Sequence, residues 1–194
     1  MKKKSRAVFL DRDGTINKMV FNTDHGILDS PLSSGQLELL SGASRALSLL
    51  KKGGFLLVLI SNQPGVAKGK MKMGDFLEID RRLDFLLSKS GTRFDAKFYC
   101  LHHPDAKVKS LRRRCLCRKP KPGLILRAAR ELGINLAESY MVGDGITDIQ
   151  AGLSAGCKTV FIGNFKPELW NYLKGGKKPD IIAKSLLEAA RSII

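Results

Sequence analysis

The chain is 194 residues long, 43% hydrophobic and 27% charged, which suits one soluble domain large enough to bury a core. Its longest apolar run, Phe55–Ile60, is too short to cross a bilayer, and Ala7–Leu10 stops at Asp11 before it can serve as an export signal, so a cytoplasmic protein with no membrane partner is expected. The 34 Lys and Arg against 18 Asp and Glu give +16, a field that draws anionic partners, but aromatics are only 7% and do not interleave with the basic residues, which argues against a nucleic-acid platform.

Along the chain, short apolar runs alternate with stretches of helical spacing. Ala7–Leu10 reads as a strand that ends at Asp11. Ala43–Lys52 is helical and closes on Gly53-Gly54, and the run from Phe55 to Ser61 reads as a strand buried on both faces. Met73–Lys89 is helical again, with Phe76, Ile79, Leu83 and Leu86 or Leu87 on one side. Lys97–Cys100 is a short strand, followed by a basic loop and a helix from about Gly123 to Leu132. Tyr140–Gly143 reads as a strand, Asp148–Ala155 as a helix and Thr159–Ile162 as a strand. Pro179–Ala183 and Ser185–Ile193 supply a last strand and helix. This β/α alternation, with no repeat period or low-complexity linker, predicts an α/β fold in a single domain over residues 1–194. Its expected form is a doubly wound, mainly parallel sheet with helices on both faces. Ligands on such sheets bind beyond the carboxyl ends of the strands, and Asp11, Ser61, Cys100 and Asp144 stand at those ends here.

Asp11 and Asp13 lie directly after a strand, within Asp11-Arg12-Asp13-Gly14-Thr15. One carboxylate of such a pair can attack phosphorus, and the other can protonate the leaving oxygen and then activate water. Gly14 permits the tight turn that swings the second carboxylate over the phosphate. Asp144 and Asp148 form another acidic cluster at a different strand end. Asp11 and Asp144 would hold a hard cation such as Mg²⁺, which takes oxygen ligands and keeps several waters; Asp148 is expected behind them, equally suited to the backbone donors of a helix start. Lys119, just before a helix, would neutralise the nucleophile and the transferring phosphoryl group. Ser61 and Asn62 offer a hydroxyl and an amide to phosphate oxygens.

Cys100-Leu101-His102 and Cys115-Leu116-Cys117 are two short pairs framing the basic loop. In a cytoplasmic chain that clustering favours metal over disulfides. Four such ligands with no carboxylate predict a closed, structural Cys₃His zinc site in a loop at residues 100–117, with His103 competing with His102 for the fourth place. Cys157, alone before an apolar run, reads as a core thiol.

Asp11-x-Asp13-Gly14-Thr15, Ser61, Lys119-Pro-x-Pro and Gly143-Asp144-x-x-x-Asp148 together resemble the four ordered motifs of the haloacid dehalogenase (HAD) superfamily. The resemblance implies a Rossmann-like fold and a phosphatase working through an aspartyl-phosphate, with Asp11 as nucleophile and Asp13 as general acid and base. It implies Ser61 and Lys119 as phosphoryl-binding groups, and Asp144 as a Mg²⁺ ligand with Asp11 and the backbone carbonyl of Asp13. From Ala7 to about Ile162, and most specifically through Cys-x-His-His-Pro and Cys-x-Cys-Arg-Lys-Pro-x-Pro-Gly, the chain is similar to the branch holding the heptose bisphosphate phosphatases and the histidinol phosphatases. That branch has no large cap domain and shapes its pocket with a zinc-held loop. By this likeness a monomer would remove the 7-phosphate of a small phosphorylated sugar, heptose 1,7-bisphosphate, bound through Asn62, Arg118 and Asn17, with histidinol phosphate as the alternative. The basic surface would also suit a DNA-end 3′-phosphatase, or a nucleic-acid-binding module had Asp11, Asp13 and Asp144 been lost. Departures from the branch fall at Asp24–Gln36, at Lys68 in place of a common arginine, and at Gly145 in place of a frequent lysine.

Overall fold

All four side chains of Ala7–Leu10 are apolar, so a strand built from them has no face to offer water and must be covered on both sides. The computed structural model, which describes residues 4–22, 26–163, 167–175 and 178–194, covers it in that way; Asp24 of the divergent loop lies outside the described residues. The order of elements is β1 (Ala7–Leu10), β2 (Val20–Asn22), β3 (Ile27–Asp29), α1 (Ala43–Lys52), β4 (Leu56–Asn62), α2 (Met73–Ser88) and β5 (Ala96–Cys100). There follow α3 (Gly123–Leu132), β6 (Tyr140–Gly143), α4 (Ile146–Ala155), β7 (Lys158–Ile162), α5 (Pro167–Lys174), β8 (Ile181–Ala183) and α6 (Leu186–Ile193).

Six strands pair in parallel in the order β5-β4-β1-β6-β7-β8. Counted among themselves they run 3-2-1-4-5-6, so the direction of winding reverses between β1 and β6, where such sheets bind their ligands. Alternation along the strands builds two cores. Val8, Leu10, Leu57, Leu59 and Val142 face one side, under α1, α2 and α6 through Leu47, Leu50, Ile79, Leu83, Leu186 and Ala189. Ala7, Phe9, Val58, Ile60 and Met141 face the other, under α3 and α4 through Leu124, Ile125, Ala128, Ala151 and Ala155. The doubly wound parallel sheet expected from the sequence is therefore present, and no large cap is seen among the described residues.

Some elements differ from expectation. A small antiparallel hairpin, β2–β3, stands apart from the main sheet. Its strands have three residues each and leave Phe21, Ile27 and Leu28 exposed, so no buried alternation announces them. Helix α5 was likewise not evident from spacing. Helix α4 begins at Ile146 rather than Asp148, because Asp148 serves its first turn from inside: Oδ2 accepts the Gly145 N–H at 3.0 Å. Strand β8 begins at Ile181 rather than Pro179, since the Asp180 carboxylate instead accepts from the N–H and the hydroxyl of Thr159, at 2.7 and 2.9 Å.

The helix that carries Asp148 is pressed onto the sheet at Gly152. A Cβ there would lie 2.7 Å from Met141 Cβ and 2.8 Å from Thr159 Cγ2. Gly152→Val should push α4 off β6 and β7 and cost about 1–3 kcal/mol, measured as a lower urea midpoint. An unchanged midpoint would mean that α4 is not held at this distance.

Candidate active site and metal centre

Beyond Leu10 the chain leaves the sheet at Asp11, whose N–H still donates to Val142 O of β6 at 3.0 Å. It then turns sharply: the Arg12 carbonyl accepts from Ile16 N at 2.8 Å and Asn17 N at 3.1 Å. Gly14 takes φ +84°, the left-handed region, and a Cβ on it would fall inside the Asp144 carboxylate. The first turn and the loop after β6 thus touch where a side chain would keep them apart.

Asp11, Asp144 and Asp148 each point a carboxylate oxygen into one small volume, all within 4.8 Å of one another. Lys119 reaches the same cluster. Its ammonium lies 2.8 Å from Asp11 Oδ1, 2.6 Å from Asp148 Oδ1 and 2.9 Å from Ile60 O. The ammonium is thus surrounded by two carboxylates, which pair with it by charge, and a carbonyl that accepts its hydrogen bond. Burial alone would lower the Lys119 pKa, but Asp11 and then Asp148 raise it above its ordinary value, so the group stays charged. Burial, with Asp11 and Asp144 beside it, outweighs the pull of Lys119 and raises the Asp148 carboxyl to about 7. Three carboxylates around one ammonium leave an excess of negative charge. An all-oxygen donor set with that excess fits a divalent hard cation. Asp148 is buried, whereas Asp11 and Asp144 are only partly so, which makes the latter two the carboxylates that a hydrated metal could reach.

Asp13 sits in different surroundings. Arg12, fully enclosed, donates from Nε to Asp13 Oδ1 at 3.0 Å and from Nη2 to Oδ2 at 3.1 Å. Asn17 Nδ2 donates at 2.9 Å, Gln63 Nε2 at 2.5 Å and Ser30 Oγ at 2.9 Å. Burial would raise the Asp13 pKa, yet Arg12, Asn17 and Gln63 hold it below the usual carboxylate value. Asn17 is itself fully buried with its amide nitrogen on Asp13 and Lys18 O, so the structure places it behind Asp13 rather than on a substrate surface. Asn62 grips the backbone of Lys119: Oδ1 accepts its N–H and Nδ2 donates to its carbonyl, both at 3.1 Å. Ser61, buried at the end of β4, accepts from Gln63 at 3.0 Å. Arg12, Ser30 and Gln63 were not singled out by sequence. A basic residue between two catalytic-type aspartates was the one available signal, whereas Ser30 reaches Asp13 only through the fold.

The cysteine and histidine ligands also converge. Cys117 Sγ is 3.2 Å from both Cys100 Sγ and Cys115 Sγ, and Cys100 and Cys115 are 3.6 Å apart. His102 Nδ1 faces them, 3.4 Å from Cys117 Sγ and 3.8 Å from Cys100 Sγ. Zn–S bonds of about 2.3 Å and Zn–N bonds of about 2.0–2.1 Å in a tetrahedron put ligand atoms about 3.5–3.8 Å apart, so the donors fit zinc. Of the two histidines, His102 is grouped with the three sulfurs, whereas His103 Nδ1 accepts from Asp105 N at 3.1 Å. Arg118, directly after Cys117, donates from Nη1 to His102 O at 3.3 Å.

The HAD-hydrolase-like family model matches residues 116–189. Over nearly the whole chain, 96% of it and 94% of the relative, the sequence is 38% identical to D-glycero-beta-D-manno-heptose-1,7-bisphosphate 7-phosphatase of Yersinia pestis. The enzyme of the same name from Escherichia coli K12 is 40% identical, over 86% of this chain and 84% of its own. Among solved structures, D,D-heptose 1,7-bisphosphate phosphatase from B. bronchiseptica, complexed with magnesium and phosphate, superposes with TM-score 0.78 at 28% identity, covering 97% of each chain.

Removing the ammonium tests the carboxylate cluster. Lys119→Met strands buried charge and should lower the unfolding free energy by about 3–5 kcal/mol in urea titrations. Adding Asp148→Asn should recover part of that loss, since one uncompensated carboxylate goes. A double variant as unstable as the sum of the single ones would contradict the pairing.

Proposed function

Since the chain belongs to the heptose-1,7-bisphosphate 7-phosphatase family of HAD-like hydrolases and is a phosphoric monoester hydrolase, we propose that it removes the 7-phosphate of D-glycero-β-D-manno-heptose 1,7-bisphosphate, acting as a cytoplasmic monomer. The observation that carries the chemistry is the pairing of Asp11 Oδ1 with the Lys119 ammonium at 2.8 Å, with Asp144 close by. A carboxylate so held keeps one oxygen oriented while the other attacks.

In this reading an Asp11 oxygen forms the new bond to phosphorus as the bond to the sugar oxygen breaks. Asp13 gives its proton to that leaving oxygen. It then takes a proton from the water whose oxygen attacks phosphorus, which frees Asp11 and releases orthophosphate. In its cradle Asp13 is held ionised, so the acid role requires it to turn away from Arg12 and take up a proton; the glycine at 14 gives the turn that freedom. Lys119 and Ser61 hold the phosphoryl oxygens, Lys119 by charge and Ser61 by its hydroxyl. Asp11, Asp144 and the Asp13 carbonyl would hold Mg²⁺, which when bound screens the repulsion between the carboxylate and a dianionic phosphate. Asn62 acts through its clasp on Lys119, and Asn17 through Asp13. Arg118 has N–H groups beyond the one on His102 O, and these suit the 1-phosphate at the far end of the sugar. Cys100, His102, Cys115 and Cys117 would bind structural Zn²⁺ and so fix the loop that carries Arg118.

Phosphate release with Mg²⁺ from both anomers of heptose 1,7-bisphosphate, from histidinol phosphate and from a 3′-phosphorylated DNA end tests the substrate. The β anomer should lead, and Asp11→Asn should lower turnover by at least about 10³-fold, since loss of a covalent nucleophile can cost up to about 10⁶-fold. Equal slow turnover of every substrate would overturn the sugar assignment. For the zinc site, His102→Ala should reduce bound zinc and the Tm, and His103→Ala should leave both as they are. Zinc lost from the His103 variant alone would reverse the ligand assignment.

A further inference from the structure

We infer that Gln63 is a positioning residue that fixes the direction of the Ser61 hydroxyl, so that its proton is presented to a phosphoryl oxygen. The inference rests on the phosphatase reading of the site and is independent of which sugar is bound.

Arg12 is fully enclosed, and a guanidinium only donates. Its Nη2 donates to Asp13 Oδ2 at 3.1 Å and to Gln63 Oε1 at 2.8 Å. An amide turned the other way would set N–H against N–H, so the Gln63 oxygen faces Arg12 and its nitrogen faces the site. That nitrogen has two hydrogens, one for Asp13 Oδ2 at 2.5 Å and one for Ser61 Oγ at 3.0 Å. Ser61 Oγ is therefore an acceptor from Gln63, and its own proton remains to be given. No acceptor for that proton is found among the described residues, whereas a phosphoryl oxygen is an acceptor the reaction brings. A hydroxyl without this constraint would rotate between donating and accepting, and would greet an anionic oxygen with a lone pair part of the time.

Two further observations support a positioning role. The Gln63 N–H donates to Cys100 O at 2.8 Å, which anchors the residue to the strand that carries the first cysteine of the metal cluster. Arg12 leaves Nη1 without a partner among the described residues, an expense that packing alone does not explain. Its enclosure is accounted for by what it orients: Asp13 on one side and the Gln63 amide on the other.

The test compares wild type, Ser61→Ala, Gln63→Met and the double variant by orthophosphate inhibition of Mg²⁺-dependent p-nitrophenyl phosphate hydrolysis. Gln63→Met should raise the inhibition constant about tenfold, as for loss of one hydrogen bond to a charged group. In the Ser61→Ala background the same substitution should change it less than about twofold, because the group it acts through has gone. Equal weakening in both backgrounds, or none in wild type, overturns the inference. Circular dichroism checks folding, and should the methionine variant not fold, Gln63→Asn, too short to span Arg12 and Ser61, takes its place with the same expectations. Wild type that neither hydrolyses p-nitrophenyl phosphate nor is inhibited by orthophosphate would instead sink the phosphatase reading, and the inference with it.

Discussion

The Lys119 ammonium is the point at which the parts of this molecule are tied together. Its three partners come from three places in the chain: Asp11 after β1, Ile60 within β4 and Asp148 in the first turn of α4. Taking an ammonium out of water costs several kcal/mol, and only close, well-aligned partners offset it. The surroundings supply that alignment. Asn62 holds the Lys119 backbone from both sides, and Gly14 and Gly143 let the loops after β1 and β6 close onto Asp144 and Asp148 without side chains between them. The sheet order places all of this at the reversal between β1 and β6, where two strand ends diverge and leave room for a ligand.

Two aspartates only two residues apart in sequence thus acquire opposite settings. Asp11 shares an ammonium and an all-oxygen cluster with Asp144 and Asp148; Asp13 faces back into an enclosed guanidinium and three further donors. A nucleophile and an acid-base group need such separate environments, because identical ones would give them the same proton affinity. The loop from Cys100 to Cys117 adds a brace from outside. Cys100 O holds Gln63, His102 O holds Arg118, and Leu116 O accepts from Gly123 at the start of α3 at 3.0 Å. Binding a metal there would stiffen the pocket wall without entering the chemistry.

Much of this was legible in the sequence because strong local signals coincide with strand ends. Continuous apolar runs gave the buried strands, glycines gave the helix stops, and the aspartates, Ser61 and Lys119 stand where the alternation of elements says a site must be. What was not legible depends on closure in space. The partners of Asp13 lie one, four, 17 and 50 residues away in the chain, and no periodicity relates them. The roles of Asn17 and Asn62 turned inward for the same reason: an amide near a phosphate-binding motif reads as a substrate contact until its partners are known. The choice between His102 and His103 was beyond spacing, since adjacent residues offer equivalent loop positions and only the fold sets His102 beside the three sulfurs. The β2–β3 hairpin stayed hidden because its strands are short and its apolar side chains face outward.

On the proposed mechanism Asp11, poised on Lys119, becomes covalently phosphorylated. The direct measurement is to quench the enzyme during turnover of heptose 1,7-bisphosphate, reduce any acyl phosphate with borohydride, and locate the modified residue by peptide mass. An alcohol should replace the Asp11 carboxyl, and none should form in Asp11→Asn. Reduction at Asp13, or an unmodified Asp11 in enzyme that is turning over, would contradict it.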